Sequence, residues 1–276
     1  MSKNILVLLM ASILVFGCIS PNSQVSSSGP QTQPTSPNTS VSNQPTQPSP
    51  QHDVPSLNYT PIFYSSDNWQ IRGYLYSSKA STPTKLILLL PMLDHTLEDY
   101  PQTLLWKLHE AIPDAIIMPI DMRGHGESVN QGTFDSFDST GFLNMKNDVT
   151  SAKSYITRNY PSVNQVYVVG ASIGSTAAIN AAANDQSITK VVLLSPGVEY
   201  QEVNIQNSIR SYNKPLLFVV SREDSYSYSS VANLSALSPS TQKQVKIYSV
   251  GHGTEIFGNE GNGEENLEDL ITNFLK

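Results

Sequence analysis

From about residue 60 onward, short apolar runs alternate with longer amphipathic stretches. Four or five successive apolar residues between turn signals are typical of strands that are covered on both faces. Such runs occur at residues 86–90, 115–118, 166–169, 191–194 and 216–220, and residues 246–250 add a sixth candidate strand. Helical stretches are predicted at residues 100–112, 141–159, 173–183, 203–212, 226–237 and 264–275. Strands that alternate with crossover helices predict a mostly parallel sheet.

Two stretches in which apolar and polar residues tend to alternate precede this pattern. Residues 60–64 and 70–76 alternate, and the polar residues 65–68 between them predict a turn. They predict an antiparallel hairpin at one edge of the sheet. The sequence therefore predicts an α/β fold, a doubly wound mostly parallel sheet of about eight strands with helices on both faces, formed by one domain at residues 58–276.

The first residues have the pattern of a targeting segment. Lys3 precedes an apolar run at residues 5–16, which is too short for a comfortable membrane span. Gly17 and Cys18 follow, and the stretch resembles a lipoprotein signal in which residues 1–17 are removed and Cys18 carries the lipid. Phe16 departs from the small residue expected there, so an uncleaved hydrophobic anchor is the alternative. Either route predicts a protein anchored to the outer face of a membrane.

Residues 18–57 are rich in Ser, Thr, Pro, Gln and Asn and contain almost no charged residues. Such a segment buries too little apolar surface to offset its chain entropy. We interpret it as a semi-extended linker between the anchor and the folded domain.

Composition excludes several classes of partner and cofactor. The formal net charge of −7, with Lys and Arg scattered singly, argues against nucleic acid binding. Cys18 is the only cysteine, so an internal disulfide cannot form, and the five histidines have no zinc-ligand spacing. We expect neither a metal nor a cofactor.

Candidate chemistry begins at the pentapeptide Gly170-Ala171-Ser172-Ile173-Gly174. It stands between an apolar run and an Ala-rich helical stretch, which is the context in which Gly-x-Ser-x-Gly exposes a nucleophilic serine on a tight turn. Taken alone, the pentapeptide is equally consistent with a turn in which Ser172 caps the helix.

Two further residues favour the nucleophile. A serine nucleophile needs a base, and the base needs an acid that holds its tautomer. Asp224 follows the run at residues 216–220, and His252 follows the last predicted strand. The order Ser172, Asp224, His252 is that of α/β-hydrolases and differs from those of chymotrypsin and subtilisin. Glu223 is the alternative acid.

Residues from about 60 to 276 resemble the α/β-hydrolase family. Residues 121–128, Asp-Met-Arg-Gly-His-Gly-Glu-Ser, are similar to the family's D-x-R-G-x-G-x-S loop, which shapes the site without being catalytic. His125 in that loop is therefore a structural residue and only a reserve candidate for the base. By position, the resemblance implies an oxyanion hole made by the backbone amides of Leu93 and Ile173. The neighbouring Asp94 and His95 are interpreted as a polar loop.

The resemblance implies a serine hydrolase that cleaves small carboxylic esters through an acyl-enzyme on Ser172. The stretch at residues 197–212 is too short for a sizeable lid, so an open site is expected, and Tyr226 and Tyr228 are candidates for lining it. A peptidase or thioesterase of the same family remains an alternative. A surface-anchored binding protein without catalysis is the other alternative.

Overall fold

The computed structural model describes residues 55–276. The predictions for the signal segment 1–17, for lipidation at Cys18 and for nearly all of the linker 18–57 lie outside these residues. Within residues 55–276, the structure contains no helix that combines the length and the apolar character needed to cross a membrane.

Ten strands and seven helices follow one another along the described chain. The strands are β1 (Thr60–Ser66), β2 (Trp69–Leu75), β3 (Lys85–Leu90), β4 (Ala115–Pro119), β5 (Gln165–Ala171), β6 (Ile188–Leu194), β7 (Glu199–Tyr200), β8 (Val203–Asn204), β9 (Leu216–Ser221) and β10 (Lys243–Tyr248). The helices are α1 (Gln102–Ala111), α2 (Ser139–Leu143), α3 (Met145–Asn159), α4 (Ile173–Ala182), α5 (Gln206–Ser211), α6 (Ser225–Leu237) and α7 (Leu267–Leu275).

Six parallel strands form the central sheet in the order β10-β9-β6-β5-β3-β4. The antiparallel hairpin β1-β2 continues this sheet beside β4, because Tyr76 and Ile117 exchange two backbone hydrogen bonds of 2.9 and 3.2 Å and Gly73 bridges to Ile120. The predicted doubly wound, mostly parallel sheet of about eight strands is therefore confirmed. Its strand order changes direction between β3 and β5, and ligands of such sheets bind outside the carboxyl ends of the strands at that point.

Both faces of the sheet are covered by helices. Along β3, Leu86, Leu88 and Leu90 are buried against one hydrophobic cluster, and Ile87 and Leu89 are buried against the other. Helices α2 to α6 contribute to the first cluster, and α1 and α7 contribute to the second. Successive side chains of a strand point to opposite faces, so burial on both sides explains the continuous apolar runs in the sequence.

Arg123, in the loop after β4, forms a buried ion pair with Asp148 of helix α3. Arg123 donates from Nη2 to Asp148 Oδ1 at 2.7 Å and from its backbone N–H to Asp148 Oδ2 at 2.8 Å, and both side chains are almost wholly buried. Arg123 also donates to Asp67 in the turn between β1 and β2. The pair thereby joins three separate elements, namely the loop after β4, helix α3 and the hairpin.

Several predicted elements differ from the structure. The helix predicted at residues 203–212 is only partly correct, because Val203–Asn204 pairs with Glu199–Tyr200 as a small hairpin and helix α5 starts afterwards. Gln201 and Glu202, which form its turn, have positive φ values of 51° and 61°. Neither residue is a usual choice for such a turn, so the sequence contained no local signal for it. Residues 141–159 form parts of two helices, and the last strand lies nearer the N-terminus than predicted.

Candidate active site

Ser172 occupies a strained turn between strand β5 and helix α4. Its φ of 51° and ψ of −116° lie outside the regions that residues with side chains ordinarily adopt. The backbone N–H of Ser172 donates to Leu194 O at 2.8 Å, which ties the turn to the end of β6. The turn thus places Ser172 at the carboxyl edge of the sheet, as the Gly-x-Ser-x-Gly context predicts.

The two glycines of the motif allow close backbone packing around this turn. A Cβ atom on Gly170 would stand 2.3 Å from Gly174 O. A Cβ atom on Gly174 would stand 2.6 Å from Pro91 O and 2.7 Å from Leu90 O. The start of α4 therefore packs directly on the backbone that follows β3.

We expect Gly174→Ala to destabilise the protein by about 1–3 kcal/mol and to lower the thermal midpoint by several degrees. The added methyl group must push α4 away from Pro91, since backbone atoms cannot rotate aside. Thermal denaturation followed by circular dichroism measures the effect. Gly261→Ala is the matched control, because its Cβ would meet only side-chain atoms of Ser249 and Glu264 at 3.2–3.3 Å. Equal midpoints for the two variants would contradict this account of Gly174.

Asp224 and His252 are brought together by the ends of β9 and β10. His252 Nδ1 lies 2.6 Å from Asp224 Oδ2, and the backbone N–H of Ser227 donates to Asp224 Oδ1 at 3.1 Å. Burial opposes ionisation of Asp224, but hydrogen bonds from Ser227 and His252 outweigh it and lower its pKa. The alternative acid, Glu223, has no such bond to the imidazole among the described residues. The arrangement can hold one tautomer of His252, with Nε2 as the proton acceptor.

Ser195 fastens the His252 loop to the core. Its Oγ accepts a hydrogen bond of 2.9 Å from the backbone N–H of Gly253, and its own backbone has a positive φ of 47°. A Cβ atom on Gly253 would stand 2.3 Å from Met92 Sδ, so the loop also packs against the residues after β3. No motif in the sequence indicated this role of Ser195.

Tyr200 is a second residue that sequence reasoning missed. Its ring meets the His252 ring edge-on at a centroid distance of 6.4 Å, and its hydroxyl donates to Ser195 O at 3.0 Å. Burial raises the Tyr200 pKa to about 12, although hydrogen bonding to Ser227 and Ser172 opposes the rise. Within residues 55–276, no hydrogen bond joins Ser172 Oγ to His252, and catalytic hydrogen bonds often tighten only when substrate binds.

The β7-β8 hairpin is held over the site by Tyr226. The Tyr226 hydroxyl donates to Glu199 O at 2.6 Å and accepts from Glu199 N at 3.1 Å, and its ring packs against Tyr200. Tyr226 was predicted as a candidate for lining the site, and its contacts show that it anchors the hairpin. Tyr228 is exposed on α6. Gly197 was the one local signal of this packing, since any side chain there would collide with the rings of Tyr200 and Tyr226.

The predicted oxyanion donors lie in and near the nucleophile turn. Ile173 is the first residue of α4, and Leu93 follows the backbone against which Gly174 packs. In the described part of the chain, no residue accepts a hydrogen bond from the amide of Leu93 or from that of Ile173. Both amides are therefore available to an added oxygen atom, and the N-terminus of α4 favours negative charge there.

Two cavities lie beside the loops that carry the candidate residues. One of about 300 Å³ is lined by Glu223, Asp224, Gly251, His252 and Glu255. The other, of about 250 Å³, is bounded by the loops that follow β3 and β4 and contains His95 and His125 in its wall. Among residues 55–276, no group of three or more His, Cys, Asp or Glu side chains is arranged to hold a metal ion.

Comparison with known proteins shows what this architecture is similar to. The family described as "Serine aminopeptidase, S33" matches residues 83–213. An esterase from Pyrococcus furiosus superposes with a TM-score of 0.61 at 16% identity, covering 80% of this chain and 90% of the other. An esterase from an Arctic intertidal metagenomic library gives 0.62 at 18% identity, covering 80% and 95%. A dienelactone hydrolase from Anabaena variabilis gives 0.61 at 14% identity, covering 80% and 97%.

No curated protein matches the sequence at a significant level. The solved structures agree with this chain over nearly their whole length at low identity, so the likeness concerns the fold. Strand order, the match to the S33 family and these structural neighbours lead to one conclusion: the chain has the α/β-hydrolase fold.

Proposed function

We propose that the protein hydrolyses carboxylic esters through an acyl-enzyme on Ser172. The observation that carries the proposal is the 2.6 Å contact between His252 Nδ1 and Asp224 Oδ2, at strand ends beside the strained turn that presents Ser172. Hydrogen bonding of this kind prepares an imidazole to act as a base towards a neighbouring hydroxyl group.

In the first half of the reaction, His252 Nε2 takes the proton of Ser172 while Oγ attacks the ester carbonyl carbon. The carbonyl oxygen gains negative charge and accepts hydrogen bonds from the amides of Leu93 and Ile173. The tetrahedral species then collapses, and His252 gives the proton to the departing alcohol oxygen. Asp224 stabilises the imidazolium that exists between these two transfers.

In the second half, a water molecule gives a proton to His252 and attacks the acyl carbon. The acid is released, and the proton returns to Ser172. Each group recovers its starting state, so the cycle consumes one water molecule per ester and requires no cofactor.

The substrate class is supported by the names of the structural neighbours, several of which are esterases. The name of the matching family favours peptidase activity instead. Between β6 and β9 the described chain has only the β7-β8 hairpin and α5, and this small cover suits a compact ester better than a peptide. We further propose that Cys18 or an uncleaved N-terminal segment anchors the enzyme to the outer face of a membrane.

Fluorophosphonate labelling of the purified full-length protein tests the proposed chemistry. Wild type should be labelled and should hydrolyse 4-nitrophenyl acetate. Ser172→Ala and His252→Ala should lose labelling, and ester hydrolysis should fall by at least about 10,000-fold. Thermal denaturation of each variant checks that it is folded. A folded wild type that is neither labelled nor active would refute the hydrolase and favour a non-catalytic binding protein.

A further inference from the structure

The cavity of about 250 Å³ lies between two loops at the carboxyl edge of the sheet. Its wall includes Asp94 and His95 from the loop after β3, and His125 and Val129 from the loop after β4. Phe134 and Asp135, farther along the chain after β4, also line the cavity. Pockets that bind small ligands usually have larger volumes than 250 Å³, so a small chemical group would fill this cavity.

The position of this cavity relates it to the proposed reaction. Asp94 directly follows Leu93, and successive Cα atoms are about 3.8 Å apart. An ester whose carbonyl oxygen accepts from the Leu93 amide therefore has its carbonyl carbon within roughly 7 Å of Asp94. A substituent on that carbon can reach the cavity.

The direction of proton transfer decides which half of the ester lies there. His252 must protonate the departing alcohol, so the alcohol half lies beside His252. The Tyr200 ring packs against the His252 ring with 6.4 Å between their centroids, which limits the space around His252. The acyl half therefore lies on the other side of the carbonyl carbon, and the cavity between the loops after β3 and β4 is the space available to it.

The inner wall of the cavity is uncharged. His125 is only 2% exposed and stacks on Phe134 at a centroid distance of 4.8 Å. Its Nδ1 lies 3.0 Å from Arg123 O, which can only accept, so Nδ1 carries the proton, and burial lowers the His125 pKa and keeps the ring neutral. Its Nε2 is buried without a hydrogen-bond partner among residues 55–276.

The outer rim of the cavity is negatively charged. Asp94 and Asp135 are exposed there. The nearby His95 is paired with Asp99, with 2.5 Å between His95 Nδ1 and Asp99 Oδ2. None of the residues that line the cavity is Lys or Arg. An acyl group that ends in a carboxylate would meet two like charges and no compensating cation.

We propose that this cavity is the acyl subsite and that it selects short, uncharged acyl groups over anionic ones of the same length. The proposal rests on the proposed ester hydrolysis. Asp94 and Asp135 act as specificity-determining residues, because they repel a terminal carboxylate. Val129, an exposed apolar residue in the wall of the cavity, contacts the far end of a longer acyl chain.

The expected effects follow from simple electrostatics. Two unit charges about 7 Å apart in water interact strongly enough to change a rate by about threefold. Asp94→Asn and Asp135→Asn should each reduce the preference for uncharged acyl groups by about two- to threefold, and the double variant by about five- to tenfold. High salt should reduce the preference of wild type, since these charges are exposed.

The experiment compares 4-nitrophenyl pentanoate with the mono-4-nitrophenyl ester of glutaric acid. The two share a leaving group and an acyl chain of five carbons, and only the second ends in a carboxylate. The ratio of their kcat/KM values is measured for the full-length wild type, the single variants and the double variant. Asp269→Asn, on α7, removes the same charge outside the cavity and serves as the matched control.

A pocket-filling variant tests the location independently. Val129→Trp should lower kcat/KM for the pentanoate ester by at least about tenfold relative to 4-nitrophenyl acetate, whose acyl group is too short to reach the rim. Fluorophosphonate labelling is measured in parallel. Two outcomes with normal labelling would overturn the subsite alone. One is an unchanged pentanoate-to-glutarate ratio of kcat/KM in the aspartate variants. The other is an unchanged pentanoate-to-acetate ratio of kcat/KM in Val129→Trp. Absence of labelling and hydrolysis in wild type would overturn the proposed function and the subsite with it.

Discussion

Asp224→Asn is expected to lower kcat by about 1,000- to 10,000-fold while leaving the fold intact. An amide in this place presents either an N–H group to His252 Nδ1 or an oxygen without charge. The first stabilises the wrong tautomer, in which Nε2 carries the proton and cannot accept one from Ser172. The second leaves the imidazolium without a counter-charge. Steady-state hydrolysis of 4-nitrophenyl acetate measures the loss, and circular dichroism checks the fold.

Glu223→Gln is the matched control for this prediction. Both substitutions remove one negative charge by an isosteric change, and they affect adjacent residues. Only Asp224 contacts the imidazole, with 2.6 Å between Oδ2 and Nδ1, so Glu223→Gln should change kcat by no more than a few fold. If Glu223→Gln lowered kcat more than Asp224→Asn does, Glu223 would be the acid that orients His252, and Asp224 would not.

Asp148→Asn should reduce the free energy of unfolding by about 3–5 kcal/mol. The change keeps the volume of the side chain but leaves the Arg123 guanidinium, with 3% of the residue exposed, without its buried counter-charge. An uncompensated buried charge costs far more than the pair itself contributes, because water no longer solvates it. Urea denaturation followed by tryptophan fluorescence gives the free energy directly.

Asp67→Asn provides the comparison for Arg123. Asp67 also accepts from Arg123 Nη2, at 3.1 Å, but its side chain is 53% exposed. An exposed pair is screened by solvent, so the expected loss is at most about 1 kcal/mol. If Asp67→Asn and Asp148→Asn reduced the free energy of unfolding equally, burial would not be the property that makes the Asp148 contact important.

The parallel strands were predictable because each is covered on both faces. In β3, Leu86 packs on one side of the sheet and Ile87 on the other, so nearly every position is apolar and the run is conspicuous in the sequence. The β1-β2 hairpin was predictable from its alternation, since one face is buried and the other is solvated. These patterns depend on burial alone and do not require knowledge of the neighbouring strands.

The order of the chain also predicted which candidate residues would meet. Ser172, Asp224 and His252 each follow a strand, and the carboxyl ends of parallel strands share one edge of the sheet. The structure brings Asp224 and His252 into contact and places Ser172 on the strained turn. Their catalytic roles remain predictions that the labelling and kinetic experiments test.

The cover of the site depended on tertiary structure. Tyr200 lies just before the helix predicted at residues 203–212, in a stretch for which no element was predicted. It packs on His252 because Tyr226, from helix α6, forms hydrogen bonds with both backbone polar groups of Glu199. Ser195 supports the His252 loop through a contact between residues far apart in the chain.

The sequence by itself determined the layers of the fold, the linear order of the candidate residues and the glycines of the nucleophile turn, because these follow from local burial and backbone sterics. Only the tertiary structure decided the hairpin over the site, the Arg123–Asp148 pair and the acyl cavity, because each depends on long-range contacts that no local pattern specifies.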